Sequence, residues 1–331
     1  MCETAILGGG AIGMLLGAKL ALSGCAVQLW TRTEEQARLI RERGVRLATL
    51  RENEEMAVPV RAFSFAEAPA PFSGILLVCL KQTAITDELL RELDRKLAKE
   101  AGVVLFQNGI GHAERFAAAL KGRRIAAAVT TEAALRTGEA SVRHTGHGET
   151  WLGLWPDAAA GADSGAGSAH AGANGEQASP AGEDLPRRAA EMLKKAGFSV
   201  HLSNSIRDRM FKKLLINAVI NPLTALWRIR NGELAGSSER LAVMEALHRE
   251  TFGILRLHGF QADWRELWEE LLQVCEKTAG NRSSMLQDVL GGRATEIDAL
   301  NGAVCRLARE AGASAPWNET VTALVKAIPT P

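Results

Sequence analysis

The stretch "ILGGGAIG", residues 6–13, decides the fold of the first half of this chain. Its pattern G-x-G-x-x-G, at Gly8, Gly10 and Gly13, follows a strand-like run and opens a helical one. The first glycine suits a tight turn, the second a close approach to a pyrophosphate, and the third close helix–strand packing. The positive end of the helix attracts phosphate groups. A dinucleotide site is therefore predicted, in preference to a plain glycine-rich turn, with contacts from Gly8, Gly9, Gly10, Ala11, Ile12 and Gly13.

Outward from this stretch, short apolar runs such as "AVQLWTR" and "GILLVCLK" alternate with helical runs up to about residue 204. Such alternation is typical of βαβ units and of a parallel sheet covered on both faces. We predict a Rossmann-like, doubly wound α/β domain that binds the dinucleotide over residues 1–204. An all-α domain for substrate and catalysis is expected over residues 205–331. Alternation and turn glycines in "SVRHTGHGETWLGLW", residues 141–155, predict a hairpin-like extension.

Residues 157–184 consist mainly of Ala, Gly and Ser and include no large apolar side chain up to Asp184. Such a composition cannot bury enough surface to offset the entropy of ordering. We interpret the stretch as a flexible surface insertion that lengthens a loop of the first domain.

Composition restricts the class of protein. The chain has 331 residues, 47% of them hydrophobic and 23% charged, which is ordinary for a globular protein with room for two domains. A net charge of +1 provides no basic field for nucleic acid or an anionic membrane. Five cysteines without CxxC spacing indicate reduced thiols. The apolar N-terminal run lacks a basic n-region and is interrupted by Lys19, so we expect a cytoplasmic protein.

The end of the second predicted strand, "LWTRTEE", bears on the choice of dinucleotide. NAD sites place an acid there for the ribose 2′-hydroxyl, whereas this chain has Thr31 and Arg32. A hydroxyl and a guanidinium suit a 2′-phosphate, so NADPH is the predicted cofactor, against the alternative of a solvated arginine. Lys81 and Asn108 follow two further strand-like runs, where ligands of open α/β sheets bind. A solvated lysine and an Asn-Gly turn are the alternatives.

In "KKLLINAVINPLTALW", residues 212–227, Lys213, Asn217 and Asn221 recur every four residues and form one polar stripe on a predicted helix. Two asparagines are costly in a helix without a ligand, which favours a functional stripe. The alternative is a lysine that reaches water beside asparagines bonded to their own helix. Pro222 is expected to kink or end this helix.

"NRSSMLQDVLGGRATEIDALNG", residues 281–302, contains two possible capping boxes, Ser284 with Gln287 and Thr295 with Asp298. These capping roles need no ligand. Glu296, expected at the first helical position, is likewise explained without a ligand, because the helix dipole favours a carboxylate there.

Two pairs of residues, one of histidines and one of tryptophans, could bind a ligand but are explained more simply by structural roles. His144 and His147 have no third ligand at a sensible spacing, so no metal site is predicted. Trp264 and Trp268 favour a core or dimer face.

The motifs GGGAIG, "FQNG", "KKLLINAVINPLTALW" with "RNGEL", and "NRSSMLQDVLGGRATEIDALNG" together resemble the ketopantoate reductase (2-dehydropantoate 2-reductase) family. The resemblance extends to about residue 312, apart from the insertion. It implies NADPH-dependent reduction of 2-dehydropantoate, a 2-keto acid, to pantoate, on the route to pantothenate and coenzyme A.

The resemblance also implies residue roles. Lys213 would donate the proton, and Glu296 would close the catalytic site against cofactor or substrate. The implied substrate-binding residues are Asn108, Asn217, Asn221, Asn231, Asn281 and Ser284. The implied cofactor-binding residues beyond the glycine loop are Arg32, Lys81, Asn108, Ala128 and Glu296.

Two other functions stay open at this point: a reductase of another 2-keto acid, and a non-catalytic NADP(H)-sensing regulator. The joint presence of Lys213, Asn217, Asn221, Ser284 and Glu296 argues against the regulator. A homodimer through the helical domain is a further possibility.

Overall fold

The computed structural model describes residues 3–49, 55–155 and 184–329. It divides into two compact units. The first comprises Met1–Gln107 and His112–Ile206, and the second comprises Asn108–Gly111 and Arg207–Pro331. The predicted insertion, 157–184, lies outside the described residues except for Asp184, where a helix begins.

The first unit is built on an eight-stranded sheet. The described strands are β1 (Thr4–Leu7), β2 (Val27–Thr31), β3 (Val45–Ala48), β4 (Glu55–Val58), β5 (Arg61–Ser64), β6 (Ile75–Val78), β7 (Gly102–Leu105), β8 (Arg124–Thr130), β9 (Ala133–Gly138), β10 (Ser141–Gly146), β11 (Glu149–Leu154) and β12 (Ser199–Leu202). The eight strands lie in the order β12-β11-β8-β7-β6-β1-β2-β5, and every pairing among them is parallel except that of β8 with β11. The predicted doubly wound α/β class is confirmed.

The central strands of this sheet are buried along their whole length and are mostly apolar, because both faces are covered. All four residues of β1, β6 and β7 are buried. The helices of the unit are α1 (Ala11–Leu22), α2 (Glu34–Arg43), α3 (Asp87–Lys96), α4 (His112–Ala119) and α5 (Asp184–Lys195). Threonine side chains cap α2 and α3, since Thr33 and Thr86 accept hydrogen bonds from the backbone N–H three residues later.

A second sheet of four strands, in the order β4-β3-β10-β9, was not predicted from the sequence. Its β10 pairs with β9 and β3, whereas β11 pairs with β8 and β12 in the large sheet. The hairpin predicted within residues 141–155 is therefore wrong. Both strands exist, but the turn between them carries the chain from one sheet to the other.

The second unit is helical, as predicted. Its helices are α6 (Ile206–Trp227), α7 (Ser238–Leu257), α8 (Trp264–Lys277), α9 (Ser284–Leu290), α10 (Asn301–Glu310) and α11 (Pro316–Lys326). Contacts link α10 and α11 to each other and each of them to α7. Single 3₁₀ turns lie at Asn231–Glu233 and Ile297–Ala299.

Helix α6 passes through Pro222 without ending, so of the kink or end expected there, the end is wrong. A proline inside a helix removes one hydrogen bond and costs about 3 kcal/mol. The carbonyl of Ala218, which loses its partner, instead accepts a hydrogen bond of 2.8 Å from the Asn301 side chain. The lost bond is thus replaced by a residue from another helix.

Within the described ranges, no helix combines the length and the apolar character needed to cross a membrane.

Candidate active site

The glycine loop between β1 and α1 has the geometry of a phosphate cradle. Gly8 has φ +121°, and a Cβ there would lie 3.0 Å from the backbone of Cys79. A Cβ on Gly13 would lie 1.9 Å from the carbonyl oxygen of Gly8, so only glycine fits. A Cβ on Gly10 would meet nothing within 4 Å, and no side chain caps α1 at this residue. The open space and the uncapped N–H groups fit the pyrophosphate of a dinucleotide.

The end of β2 differs in part from expectation. Thr31 is fully buried, and its hydroxyl lies 2.8 Å from the carbonyl oxygen of Thr33, so it is engaged with the main chain and not with solvent. Arg32, by contrast, is exposed. Glu34 begins α2 and is bound by Arg41, which lowers the pKa of the Glu34 carboxyl. Arg32 therefore stays the candidate for a 2′-phosphate, and Thr31 does not.

The other two residues predicted for the cofactor in this unit lie at different depths. Lys81 is exposed, three residues beyond the end of β6. Ala128 is buried within β8, where it pairs with Leu152 of β11.

One residue that holds the loop was missed from the sequence. Gln36 is buried in α2, and its Nε2 donates to the carbonyl oxygens of Gly9 and Glu139, both at 2.8 Å. Its only sequence signal is a polar residue on the buried face of α2, beside Ala37 and Ile40.

In the helical unit, Lys213, Asn217 and Asn221 lie on successive turns of α6. Lys213 is partly buried, and burial lowers the pKa of its ammonium group to about 8. The negative charge of Glu296 acts in the opposite direction and raises this pKa. With this pKa, the Lys213 ammonium is a stronger acid than an ordinary lysine, and a carboxylate interacts with its charge.

A pocket in the same unit brings together four of the predicted residues, Asn108, Asn221, Ser284 and Glu296. Met285, Asp288 and Leu300 complete its lining. Two amides, a hydroxyl and carboxylates provide donors and acceptors against two apolar side chains, which suits a small polar molecule.

The serine that caps α9 is Ser283 and not Ser284. The Ser283 hydroxyl accepts a hydrogen bond of 3.1 Å from the backbone N–H of Leu286. Gln287 donates its side-chain amide to the carbonyl of Arg282, so the expected capping box of Ser284 with Gln287 is wrong. The preceding serine takes the capping role, whereas Ser284 lines the pocket.

Glu296 precedes the 3₁₀ turn Ile297–Ala299, where no side chain caps the backbone. The expected capping box of Thr295 with Asp298 is therefore absent, and Glu296 is not the first helical residue. A capping role does not account for Glu296, whose carboxylate instead reaches the pocket and interacts with Lys213.

Asn231 and Asn281 lie together, but they do not line this pocket. The backbone N–H of Asn231 donates to the carbonyl of Asn281 at 3.0 Å, and the Asn231 side chain donates to the Thr278 hydroxyl at 2.9 Å. Asn281 is exposed. Their predicted substrate contacts stay predictions.

Asp288 is a pocket residue that was not predicted. It is buried and paired with Arg293, whose Nε lies 3.1 Å from the carboxylate. Its position four residues after Ser284 places both on one face of α9. That spacing was the available signal within "SSMLQD".

His144 and His147 do have a third potential ligand, contrary to the sequence analysis. Glu132 brings its carboxylate to within 2.6 Å of His144 Nε2, and the ligand atoms of all three residues lie within 4.8 Å of one another. The third group was missed because it lies in another part of the chain, just before β9. The hydrogen bond between His144 and Glu132 satisfies both buried side chains without an ion.

Trp264 and Trp268 stack with ring centroids 6.1 Å apart, and both rings meet the edge of buried His248. This packing supports the core alternative for the pair.

The chain is similar to known proteins over nearly its whole length. A glycine-loop dinucleotide fold followed by a lysine-bearing helical unit defines a class of oxidoreductases that use a nicotinamide cofactor. The family model described as "Ketopantoate reductase PanE/ApbA" matches residues 4–157, and that described as "Ketopantoate reductase PanE/ApbA C terminal" matches residues 205–329. The chain belongs to the ketopantoate reductase family, as its motifs predicted.

Individual relatives agree with the family models. The 2-dehydropantoate 2-reductase of Archaeoglobus fulgidus is 30% identical, over 98% of this chain and 96% of the relative. The crystal structure of the probable 2-dehydropantoate 2-reductase from Bacillus subtilis matches with a TM-score of 0.79 at 29% identity, over 99% of this chain and all of that one. A D-mandelate dehydrogenase with NADH and anilino(oxo)acetate shares the fold, with a TM-score of 0.84 at 22% identity over 98% of this chain and 97% of that one.

Proposed function

We propose that the protein reduces 2-dehydropantoate to pantoate with NADPH, a step of pantothenate and coenzyme A biosynthesis. The observation that carries this proposal is Lys213, whose pKa of about 8 reflects burial opposed by the charge of Glu296. Its helix also supplies Asn221 to a pocket for a small polar molecule. Curated 2-dehydropantoate 2-reductases that match nearly the whole chain support the same reaction.

In the proposed mechanism, NADPH held by the glycine loop would supply a hydride to the ketone carbon of the substrate. Negative charge then builds on the ketone oxygen, which needs a proton donor within hydrogen-bond reach. Lys213 Nζ donates that proton, since its lowered pKa makes the ammonium a stronger acid than an exposed lysine. Glu296 holds Lys213 in its charged form until the transfer, because a nearby negative charge favours the ammonium.

The substrate-binding residues are assigned by the same proposal. Asn108, Asn221 and Ser284, which share the pocket, would bind the hydroxyl and carboxylate groups of the acid. Asn217 continues the stripe toward Lys213, and Asn231 and Asn281 are included by family resemblance alone. The glycine loop, Arg32, Lys81 and Ala128 would bind the cofactor, and Asn108 and Glu296 are added to this set by family resemblance.

The preference for NADPH over NADH is a proposal supported by Arg32. This guanidinium is exposed at the end of β2, where an acid would mark an NAD site. The nearby Glu34 is paired with Arg41, which reduces its repulsion of a 2′-phosphate.

An assay of NADPH consumption with 2-dehydropantoate and with a panel of other 2-keto acids tests the activity. We expect 2-dehydropantoate to have the highest kcat/KM. Fast turnover of another acid without turnover of 2-dehydropantoate would replace the substrate, and no turnover of any acid would favour the regulator.

The role of Lys213 is tested by a pair of adjacent lysines. We expect Lys213→Ala to lower kcat by about 100-fold or more, the scale of general acid catalysis. Lys212 is about 100° away round the helix and is paired with Glu270 at 2.6 Å. Lys212→Ala should therefore keep kcat near that of the unchanged protein. Near-normal turnover by Lys213→Ala would remove Lys213 from the mechanism.

We also propose the domain boundaries predicted above, residues 1–204 and 205–331, as the cofactor and substrate parts. A homodimer through the helical domain and a cytoplasmic location stay predictions. Light scattering of the purified chain would test the dimer.

A further inference from the structure

The carbonyl of Ala218 occupies a critical place in α6. In an α-helix it would accept a hydrogen bond from the N–H of residue 222, but Pro222 has none. The turn from Ala218 to Pro222 separates Asn217 from Asn221, two members of the stripe that begins at Lys213. A bend at this turn would move the pocket residue Asn221 relative to the proton donor.

We propose that Asn301 is a positioning residue of the reductase, whose amide replaces the missing N–H and keeps α6 in line from Lys213 to Asn221. The inference rests on the proposed function for its catalytic consequence. Its structural part stands on hydrogen bonds within the helical unit.

The Asn301 amide is oriented for this task. Asn301 is fully buried at the start of α10, and its Nδ2 lies 2.8 Å from the Ala218 carbonyl oxygen and 2.9 Å from Asn318 Oδ1. Both neighbours are acceptors, so the amide must present its nitrogen to them. The reversed orientation would set its oxygen against two other oxygens.

A second layer fixes the partner of Asn301. Asn318, in α11, is also fully buried, and its Nδ2 donates to Glu250 Oε1 at 2.9 Å and to Thr251 Oγ1 at 3.1 Å. Its backbone N–H donates to Glu250 Oε1 at 2.8 Å. Glu250 and Thr251 belong to α7, so α7, α10 and α11 together support one carbonyl of α6. A buried hydrogen-bond network of this kind favours a single arrangement of its helices.

The segment of α6 beyond the proline has a separate attachment. The hydroxyls of Thr224 and Ser283 form a hydrogen bond of 2.7 Å, and both residues are buried. Ser283 caps α9, whose first residue, Ser284, lines the pocket. Asn301 and Thr224 therefore hold the helix on both sides of Pro222, next to the pocket residue Asn221.

A double-mutant cycle tests the replacement directly. Asn301→Ala removes the donor, and Pro222→Ala gives residue 222 an N–H that can reach the Ala218 carbonyl. A displacement of about 1 Å in a catalytic group can cost about 100-fold in rate. We expect Asn301→Ala to lower kcat about tenfold or more and leave the KM for NADPH within about twofold. In the Pro222→Ala background, the same change should lower kcat by less than about twofold. Equal losses in both backgrounds would overturn the proposal.

Hydrogen exchange of the backbone amides of residues 219–227 provides a readout that needs no substrate. Exchange should be faster in Asn301→Ala and return toward the original rate in the double variant. This result would support the replacement even if 2-dehydropantoate is not the substrate. Unchanged exchange in Asn301→Ala would overturn it.

The same double-mutant cycle also tests the proposal if the Asn301→Ala variant does not fold. If Asn301→Ala gives no folded protein, a folded and active double variant supports the proposal, because the N–H of residue 222 again gives the Ala218 carbonyl a donor. A double variant that also fails to fold contradicts it.

Discussion

At the scale of single residues, the interaction of Lys213 with Glu296 leads to a prediction about the pH dependence of kcat/KM. If Lys213 donates its proton as the ammonium, kcat/KM should fall as the pH rises through its pKa of about 8. Glu296 raises that pKa, so Glu296→Gln should move the alkaline fall of kcat/KM to lower pH. The measurement is a pH profile of kcat/KM from about pH 6 to pH 10, a range chosen to bracket the pKa.

Glu310→Gln provides a control with the same change of charge at an exposed position of α10. It should leave the alkaline fall in place. A profile of Glu296→Gln that is unchanged, or displaced to higher pH, would contradict the assigned interaction.

The position of Arg32 leads to a prediction about the preference for NADPH over NADH. If its guanidinium binds the 2′-phosphate, Arg32→Ala removes a charge-assisted contact worth about 1.5–3 kcal/mol. We expect the KM for NADPH to rise about 10- to 100-fold, while the KM for NADH changes by less than about twofold. Arg38→Ala, on the exposed face of α2 beside Glu42, is the matched control. Equal effects on both cofactors would assign the 2′-phosphate to another residue.

At the scale of elements, the two adjacent serines at the start of α9 are expected to affect different properties, Ser283 the stability of the fold and Ser284 the binding of the keto acid. Ser283→Ala loses the cap of α9 and the hydrogen bond to Thr224, so the free energy of unfolding should fall by about 1–2 kcal/mol. Ser284→Ala should instead raise the KM for the keto acid with little effect on unfolding, since Ser284 lines the pocket. Denaturant unfolding and steady-state kinetics of both variants check this. A larger loss of stability in Ser284→Ala would reverse the two roles.

The sequence predicted elements well where the signal was local. The glycine loop, the buried strands and the polar stripe of α6 all depend on spacing within one segment. The sequence did not show that α6 continues beyond Pro222, because the donor that compensates the proline lies 83 residues beyond Ala218. Local rules also could not choose between two adjacent serines as the cap, or assign β10 and β11 to different sheets.

The same distinction applies to the candidate site. Asn108, Asn221, Ser284 and Glu296 were predicted through family motifs, and the pocket brings them together. Gln36 and Glu132 were missed because their partners are distant in sequence: Gln36 donates to the carbonyls of Gly9 and Glu139, and Glu132 meets His144.

At the scale of the whole molecule, the Ala/Gly/Ser-rich stretch is expected to be dispensable. It lies between the two ranges matched by the family models, 4–157 and 205–329, and offers no large apolar side chain to a core. A variant that lacks residues 158–181 should keep kcat and both KM values within about twofold. Its stability should stay equal or rise slightly, because a shorter loop costs less entropy to close. Steady-state kinetics and thermal unfolding provide the comparison; loss of activity in a folded variant would give the stretch a functional role.

The clustering of Asn108–Gly111 with the helical unit has a consequence for recombination between family members. One wall of the pocket is encoded about a hundred residues before the helices that supply the others. A chimera joined by a single crossover near residue 205 would combine a borrowed Asn221, Ser284 and Glu296 with the resident Asn108 loop. Exchange of substrate preference would then require a second, four-residue graft at Asn108–Gly111. The residues that line this pocket are therefore encoded by two separate segments of the gene, which recombination would have to transfer together.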